Sequence, residues 1–468
     1  MSNLAERIVN GFKRVLPNPF TIAVLLTLLT FVLALVLTKP SDTSTSSYLW
    51  QLTTSWETGL WDSSGGGLYF AFQMMLMLVL GHCLALTKPV KLIIDQLLAS
   101  CTSTARSAAI VAFSAILMGL FNWGLGLIFG AILARRIGEK FSIEKKRLNY
   151  GLVGAAAYLG LMVWHGGLSG SAPTKVMETG YLQEMMSDLS VKEGFVVPNA
   201  IPFESTVGSN MNITVSIILL VLFPFIAYFL AKKSSPGYVP KFKNSYDKTP
   251  EPETARRKGA ERLDASRYIG LLIGIGFLSV GMIKALNYEG VSTFGFIQPN
   301  FINLILLGLC LTLHRSVNQF LASVQRAIGD ISGILIQFPL YFGILGIMKS
   351  SGLIVVFSDF LIDHASDATL PLYTFFSAGL VNFFVPSGGG QWAIQGPIIL
   401  QAAQELGANL PKTVMAMAYG DQLTNMLQPF WALPLLGITR LKAYEILPFT
   451  FLFFIIGVII YGGVLLVF

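Results

Sequence analysis

The feature that most constrains this chain is a succession of apolar runs of about 17 to 25 residues, each closed by a short charged loop. Runs of that length span a bilayer core as helices. Backbone N–H and C=O groups must be satisfied inside each segment there, because lipid offers no partners. Only 12% of the 468 residues are charged, against 53% apolar, which is about half the charged share of a soluble protein. The sequence therefore predicts an all-α polytopic membrane protein and argues against a water-soluble fold. The first run, Phe20 to Thr38, is too long for a signal-peptide core and has no clean small-residue cleavage site, so it reads as a retained helix. The net charge of +7 gathers in a few interhelical loops, as the positive-inside rule requires, and does not point to nucleic acid. Cys83, Cys101 and Cys310 lie far apart, without a C-x-x-C pair, and read as small apolar residues.

Loop charges orient the chain. Arg7, Lys13 and Arg14 against Glu6 place the N-terminus in the cytoplasm, and Asp42, Glu57 and Asp62 place the next segment outside. The apolar stretch 108–134 is basic on both flanks, with Arg106 before it and Arg135, Arg136 and Lys140 after it. A simple crossing would put the acidic stretch 174–198 inside and the basic stretch 232–267 outside. A re-entrant hairpin over 108–134, turning at Asn122-Trp123-Gly124, restores the parity; the alternative is one long tilted helix. The polar, proline-bearing stretch 232–267 reads as a basic cytoplasmic linker, followed by a connecting helix over 268–286. By the same parity, 371–405 becomes a second hairpin, entering from outside.

Each half then reads as helix, helix, amphipathic piece, hairpin, broken helix, final helix, with opposite starting sides. The expectation is two inverted-topology repeats, 1–231 and 287–468. Their broken helices lie at 150–173 and 413–437. Asn122 precedes the His165 break by 43 residues and Asn382 precedes Asp421 by 39, similar spacings that suggest correspondence.

Four segments carry residues that a lipid-facing helix would not. The first tip offers Asn122 and Trp123, and the first break reads Trp164-His165-Gly-Gly-Leu-Ser169-Gly-Ser171-Ala-Pro173. The second tip offers Ser387, Gly388, Gly389, Gln391, Trp392 and Gln395, and the second break Asp421, Thr424, Asn425 and Gln428, with Trp431 behind it. No Lys or Arg falls within these motifs. Helix N-termini and the Ser, Asn and Gln side chains then suit one small carboxylate better than two, with aromatic residues walling an apolar tail. Single glycines in membrane helices more often serve packing than binding. His165 reads as a packed neutral imidazole, a proton carrier or a substrate contact. Asp421 reads as a coupling-cation site or a helix cap.

The phrases Asn382-Phe-Phe-Val-Pro-Ser-Gly-Gly-Gly-Gln-Trp392, Gln395-Gly-Pro397, Met417-Ala-Tyr-Gly-Asp-Gln422 and Gln428-Pro-Phe-Trp-Ala-Leu-Pro434 closely resemble the bacterial short-chain fatty acid transporter family. Leu16-Pro-Asn-Pro-Phe20 is similar as well, and the resemblance runs from near residue 12 to the C-terminus. It implies an inner-membrane secondary carrier of short monocarboxylates such as butyrate or acetoacetate, with paired hairpins and an elevator-like motion. It also implies substrate and ion positions at Asn122, Ser169, Ser171, Ser387, Asp421, Thr424 and Asn425. The Ser-Asn-Thr hairpin signature of the sodium-dicarboxylate branch is missing.

The combined expectation is a carrier, not an enzyme, that likewise binds substrate through Trp123, His165, Gly388, Gly389, Gln391, Trp392, Gln395 and Trp431. Asp421, Thr424 and Asn425 would serve coupling. The coupling ion would be a proton, or a sodium ion near Asn122, Ser169, Asp421 and Asn425, and no other cofactor is expected. The scaffold would form a homodimer. Rival readings are a carrier of another small anion, a sodium/proton exchanger, and, remotely, an intramembrane serine protease built on Gly167-Leu168-Ser169-Gly170.

Overall fold

The computed structural model describes residues 19–61, 68–177, 179–186, 197–235, 261–289, 299–314, 316–383, 388–428 and 431–468, with isolated positions between them. Among the described residues there are helices and no strands. The first half holds α1 (Pro19–Leu37), α2 (Thr45–Leu60), α3 (Leu68–Ala85), α4 (Lys88–Ser100), α5 (Thr104–Phe121) and α6 (Trp123–Ile143), then α7 (Tyr150–Tyr158), α8 (Ser171–Lys175), α9 (Tyr181–Met186) and α10 (Asn210–Lys233). The second half follows α11 (Glu261–Asp264) and α12 (Arg267–Leu286) with α13 (Pro299–Leu313), α14 (Val317–Ala327), α15 (Ser332–Ser351), α16 (Leu353–Ile362) and α17 (Leu370–Asn382). It ends with α18 (Gly388–Glu405), α19 (Leu410–Thr424), α20 (Leu433–Thr439) and α21 (Ala443–Val467). Among the described residues five stretches are long and apolar enough to cross a membrane, 104–121, 150–175, 210–233, 267–286 and 443–467, and the bent pair 71–84 with 88–100 is a sixth if counted as one span.

The expected connecting helix is α12, one residue longer at its start than expected. Sequence reasoning assigned no element to 45–60, yet α2 is a regular helix. Ser44 Oγ accepts from the Ser47 N–H at 3.2 Å, capping it, and Tyr48 and Leu52 are buried. Its Gly59 packs directly on α15, where an added Cβ would stand 2.6 Å from the Phe342 carbonyl oxygen.

Helices α3 and α13 run parallel. Gln73 Nε2 donates to Asn300 Oδ1 at 2.7 Å, Asn303 Nδ2 to the Gln73 carbonyl at 3.0 Å, and Cys310 Sγ to the Leu80 carbonyl at 3.2 Å. Contact positions rise together on both helices, and polar bonds of this kind join helices where lipid supplies no hydrophobic drive.

The chain turns back at Asn122. Its Oδ1 caps α6 by accepting from the Leu125 N–H at 3.0 Å, and a Cβ on Gly130 would stand 3.2 Å from Ala115 Cβ. In one continuous helix those residues would lie about 22 Å apart, so the long-tilted-helix alternative is excluded. Likewise α17 and α18 are antiparallel: Gln391 Nε2 donates to the Ala378 carbonyl at 2.9 Å and Gln395 Nε2 to Ser377 Oγ at 2.8 Å.

Each hairpin meets a broken helix at a glycine crossing. A Cβ on Gly119 would stand 2.5 Å from the Gly160 oxygen, and one on Gly160 would stand 2.6 Å from the Ala115 oxygen. In the second half a Cβ on Gly379 would stand 3.5 Å from the Gly420 oxygen, and one on Gly420 would overlap the Phe375 oxygen. Both pairs are 41 residues apart, and in both the residue four before the hairpin glycine supplies the carbonyl. Counted from the hairpin asparagine, His165 and Asn425 both lie 43 residues on, beside the spacing of 39 from Asn382 to Asp421.

The first broken helix, expected over 150–173, runs from Tyr150 to Lys175 with its break inside. Regular helix stops at Tyr158, 3-10 turns cover Leu159–Met162 and Trp164–Gly166, and α8 resumes at Ser171. The second starts earlier than expected, at Leu410 behind the Asn409 cap, and breaks at Asn425–Leu427.

Of the expected linker 232–267, much lies outside the described residues, but Val239 and Phe242 pack on the core. The Phe242 ring lies 4.1 Å from Arg135 Cζ and edge-on to Tyr150 at 6.2 Å. Arg135 Nε donates to Glu139 Oε1 at 2.7 Å and its Nη1 to the Ile438 carbonyl at 3.0 Å, while Tyr150 donates to the Thr439 carbonyl at 3.1 Å. One cage of side chains thus joins α6, α7, α20 and the linker.

Candidate functional site

Unwinding a helix frees N–H and C=O groups that need partners at membrane depth. At the first break, side chains from other elements supply them. Gln422 Oε1 accepts from the His165 N–H at 2.8 Å and the Gly166 N–H at 2.9 Å. Asn212 Nδ2 donates to the Gly166 carbonyl at 2.8 Å, and the Tyr461 hydroxyl donates to the Met162 carbonyl at 2.6 Å. Gln422 Nε2 in turn donates to Tyr461 Oη at 2.8 Å, and Tyr419 donates to Asn212 Oδ1 at 3.1 Å.

The second break is satisfied from the first half and from its own hairpin. The Tyr158 hydroxyl donates to the Asn425 and Gln428 carbonyls, both at 2.9 Å. Asn382 Nδ2 reaches the Asp421 carbonyl at 2.8 Å, Thr424 Oγ1 at 2.9 Å and Asn425 Oδ1 at 3.0 Å. Gln428 Nε2 returns a bond to the Asn382 carbonyl at 2.7 Å. Sequence reasoning placed Thr424 and Asn425 as cation contacts; their described bonds hold the second break to its hairpin. It omitted Gln422, Tyr461, Asn212 and Tyr158, whose only sequence signal was polarity inside apolar helices.

Between the two breaks lies one ionisable pair. His165 Nδ1 stands 2.5 Å from Asp421 Oδ2, with the two side chains 0% and 1% exposed. His165 Nε2 accepts from the Ala172 N–H at 3.0 Å. An imidazole nitrogen that accepts an N–H bond carries no proton, so this network assigns the Nδ1–H tautomer, donating to Asp421 Oδ2. The Trp164 ring stacks on the imidazole at 4.6 Å.

The second hairpin closes over this pair. A Cβ on Gly388 would stand 2.8 Å from both His165 Cε1 and Trp164 Cη2, so only glycine lets the start of α18 approach so closely. A Cβ on Gly389 would stand 3.7 Å from Ser171 Oγ. The first N–H groups of α18 have no intrahelical acceptor and favour negative charge. Trp123 lies 6.4 Å from Trp164 and 5.3 Å from Trp431, forming an aromatic wall at the first tip. Ser169 Oγ accepts from the Trp123 N–H at 3.1 Å, tying the first break to that tip. Asn122 Nδ2 and Trp164 Nε1 are buried without a protein partner.

The expected residues therefore divide. His165, Ser171, Gly388, Gly389 and Asp421 converge, and Asn122, Trp123, Ser169 and Trp431 gather beside them around Trp164. Gln391 and Gln395 bond each other and α17 inside the second hairpin, and Trp392 packs with Ala172, Ala378 and Met417 in a separate apolar cluster. Ser387 lies outside the described residues.

Asn122 Oδ1, Ser169 Oγ, Asn425 Oδ1 and Asp421 Oδ2 each already receive a donor: the Leu125 N–H, the Trp123 N–H, Asn382 Nδ2 and His165 Nδ1. The described residues also hold no group of three His, Cys, Asp or Glu side chains suited to a metal.

The whole chain, residues 1–468, matches the family model described as short chain fatty acid transporter. The chain belongs to that family. A protein of Escherichia coli (strain K12), provisionally named a short-chain fatty acid transporter, is 36% identical over 465 residues, 97% of this chain and 96% of its own. A Haemophilus influenzae (strain ATCC 51907 / DSM 11121 / KW20 / Rd) protein with the same provisional name is 34% identical over 457 residues, 96% of each. The crystal structure of the Alcanivorax borkumensis YdaH transporter, described as having an unusual topology, superposes with a TM-score of 0.46 at 15% identity, covering 96% of this chain and 98% of that one.

This short chain fatty acid transporter is a multi-pass membrane protein and not an enzyme. In the Gly167-Leu168-Ser169-Gly170 motif, Ser169 Oγ accepts from the Trp123 N–H, while the His165 nitrogens bond Asp421 and the Ala172 N–H.

Proposed function

We propose that this transporter carries short monocarboxylates, of the butyrate and acetoacetate class, across the bacterial inner membrane in symport with a cation. The convergence of both breaks and the second hairpin on His165 and Asp421 carries this reading. The carboxylate lies between Ser171 and the α18 N-terminus at Gly388 and Gly389, and the apolar tail runs along Trp164, Trp123 and Trp431. The absence of Lys and Arg from these motifs suits one carboxylate rather than two. Asp421 supplies the charge that couples the cation.

The two halves act as inverted repeats with re-entrant hairpins, and the N-terminus lies in the cytoplasm. The matching 41-residue glycine crossings and the parallel run of α3 and α13 favour that arrangement. Asn122 lies 16 residues from Arg106 and 13 from Arg135, so the tip reaches about 20 to 24 Å from charged ends, short of a core about 30 Å thick. Hairpins and broken helices move as one unit against a dimeric scaffold of the remaining helices.

Counterflow tests the reading. Proteoliposomes loaded with unlabelled acetoacetate should transiently accumulate labelled acetoacetate above protein-free vesicles, and butyrate should compete. Counterflow supported by an inorganic anion and by no monocarboxylate would discard the substrate class.

A further inference from the structure

We propose that the coupling cation is a proton, taken up at His165 Nε2, and that its arrival itself builds the carboxylate site. This deepens the reading of the chain as a monocarboxylate symporter and rests on it.

The resting network holds one negative charge, with the Nδ1 proton shared toward Asp421 and Nε2 occupied by the Ala172 N–H at 3.0 Å. The added proton enters at Nε2, the ring nitrogen that bears none, and the resulting imidazolium pairs with Asp421 through Nδ1. Nε2–H then faces the Ala172 N–H, donor against donor. That hydrogen bond must break, leaving two N–H groups side by side that need an acceptor at a buried position. A carboxylate has two oxygens and fits both.

The surroundings complete the case. Gly388 abuts the imidazole edge and Gly389 lies beside Ser171 Oγ, so the N-terminus of α18 and a hydroxyl stand next to the two freed donors. Without a proton, an incoming anion meets the Asp421 charge and an acceptor nitrogen. Without an anion, the imidazolium meets a backbone donor. Each ligand removes the other's penalty, which is positive coupling between them.

The titratable and charged groups on neighbouring elements leave this exchange intact. Tyr419 on α19 is bound to Asn212, Tyr461 on α21 to the Met162 carbonyl, and the Lys175 ammonium on α8 lies over the Tyr181 ring at 5.6 Å. Of these groups only Asp421 bonds the imidazole among the described residues. The charge balance closes: proton and monoanion enter together, so the loaded and the empty site both carry one negative charge.

Calorimetric titration of the purified full-length protein with acetoacetate, in buffers of differing ionisation enthalpy, tests this. The expected result is, at a pH where the empty site is unprotonated, about one proton taken up per anion bound and an affinity falling about tenfold per further pH unit, unchanged when sodium replaces choline. His165→Gln should abolish the proton uptake. If that variant does not fold, histidine 15N resonances of the wild type decide: one of the four histidines should pass from the Nδ1–H tautomer to imidazolium on acetoacetate addition. Binding without proton uptake, binding that requires sodium, proton uptake that survives in folded His165→Gln, or unchanged histidine resonances would each overturn the inference while leaving the carrier reading in place. If no monocarboxylate binds, the carrier reading falls and takes this inference with it.

Discussion

His165 and Asp421 are 256 residues apart in the chain and 2.5 Å apart in the fold, which makes them a buried hydrogen-bonded pair joining the two broken helices. Removing the acceptor from a buried donor of this kind typically costs about 1–3 kcal/mol, because the N–H is left unsatisfied. Asp421→Asn keeps an oxygen for the Nδ1–H and deletes only the charge. Gradient-driven acetoacetate uptake should fall at least about tenfold, equivalent to about 1.4 kcal/mol, with folded protein still recovered. An unchanged initial rate per mole of protein would remove Asp421 from coupling.

Gln422→Leu takes the acceptor from two buried N–H groups, those of His165 and Gly166. Each orphaned group costs about 1–3 kcal/mol, so thermal unfolding should shift down by several degrees. Gln401→Leu, which removes an exposed bond to Glu405, should leave the midpoint nearly unchanged.

The glycine crossings predict a paired effect. Gly160→Ala and Gly420→Ala each push a methyl into a facing carbonyl, and overpacking of this kind costs about 1–3 kcal/mol or more. Gly276→Ala, with nothing within 4 Å of the new methyl, should be neutral or slightly stabilising. Equal melting temperatures across the three variants would refute close packing at the crossings.

Trp431→Ala should open the tail end of the site beside Trp123. Each added methylene that becomes buried contributes about 0.8 kcal/mol. Hexanoate should therefore gain roughly tenfold over butyrate as a competitor of acetoacetate uptake, relative to wild type. A selectivity that does not move would place the tail elsewhere.

Phe242 covers the Arg135 guanidinium at 4.1 Å, a contact worth about 0.5–2 kcal/mol. In Phe242→Ala, trypsin should cut among the Lys and Arg residues of 232–267 several-fold faster in membranes. Identical digestion rates would mean that Phe242 does not hold the linker down.

Hydropathy and loop charge were enough to anticipate the helical membrane fold, the turn at Asn122 and the unwinding near His165, because each depends on local residue type. Helix α2 was not legible: its apolar residues are few, and it is held by contact with α15 through Gly59 rather than by its own periodicity. Polarity marked Thr424, Asn425, Gln391 and Gln395 as candidate ligands, but their bonds run to α17 and to the second break. Polarity alone does not distinguish a side chain that meets a solute from one that satisfies unwound backbone. Gln422 escaped for the complementary reason, since its partners lie 256 and 257 residues away.

That separation also bears on how the protein is made. The crossing at Gly119 and Gly160 closes a short segment and can form once residue 160 has left the ribosome. The His165 and Gly166 N–H groups have no such early partner, because Gln422 is synthesised late, with only α20 and α21 to follow its helix. A nascent first half must hold an unfinished break in the bilayer for most of translation, and a gene split between the halves would yield a fragment that cannot complete its own backbone.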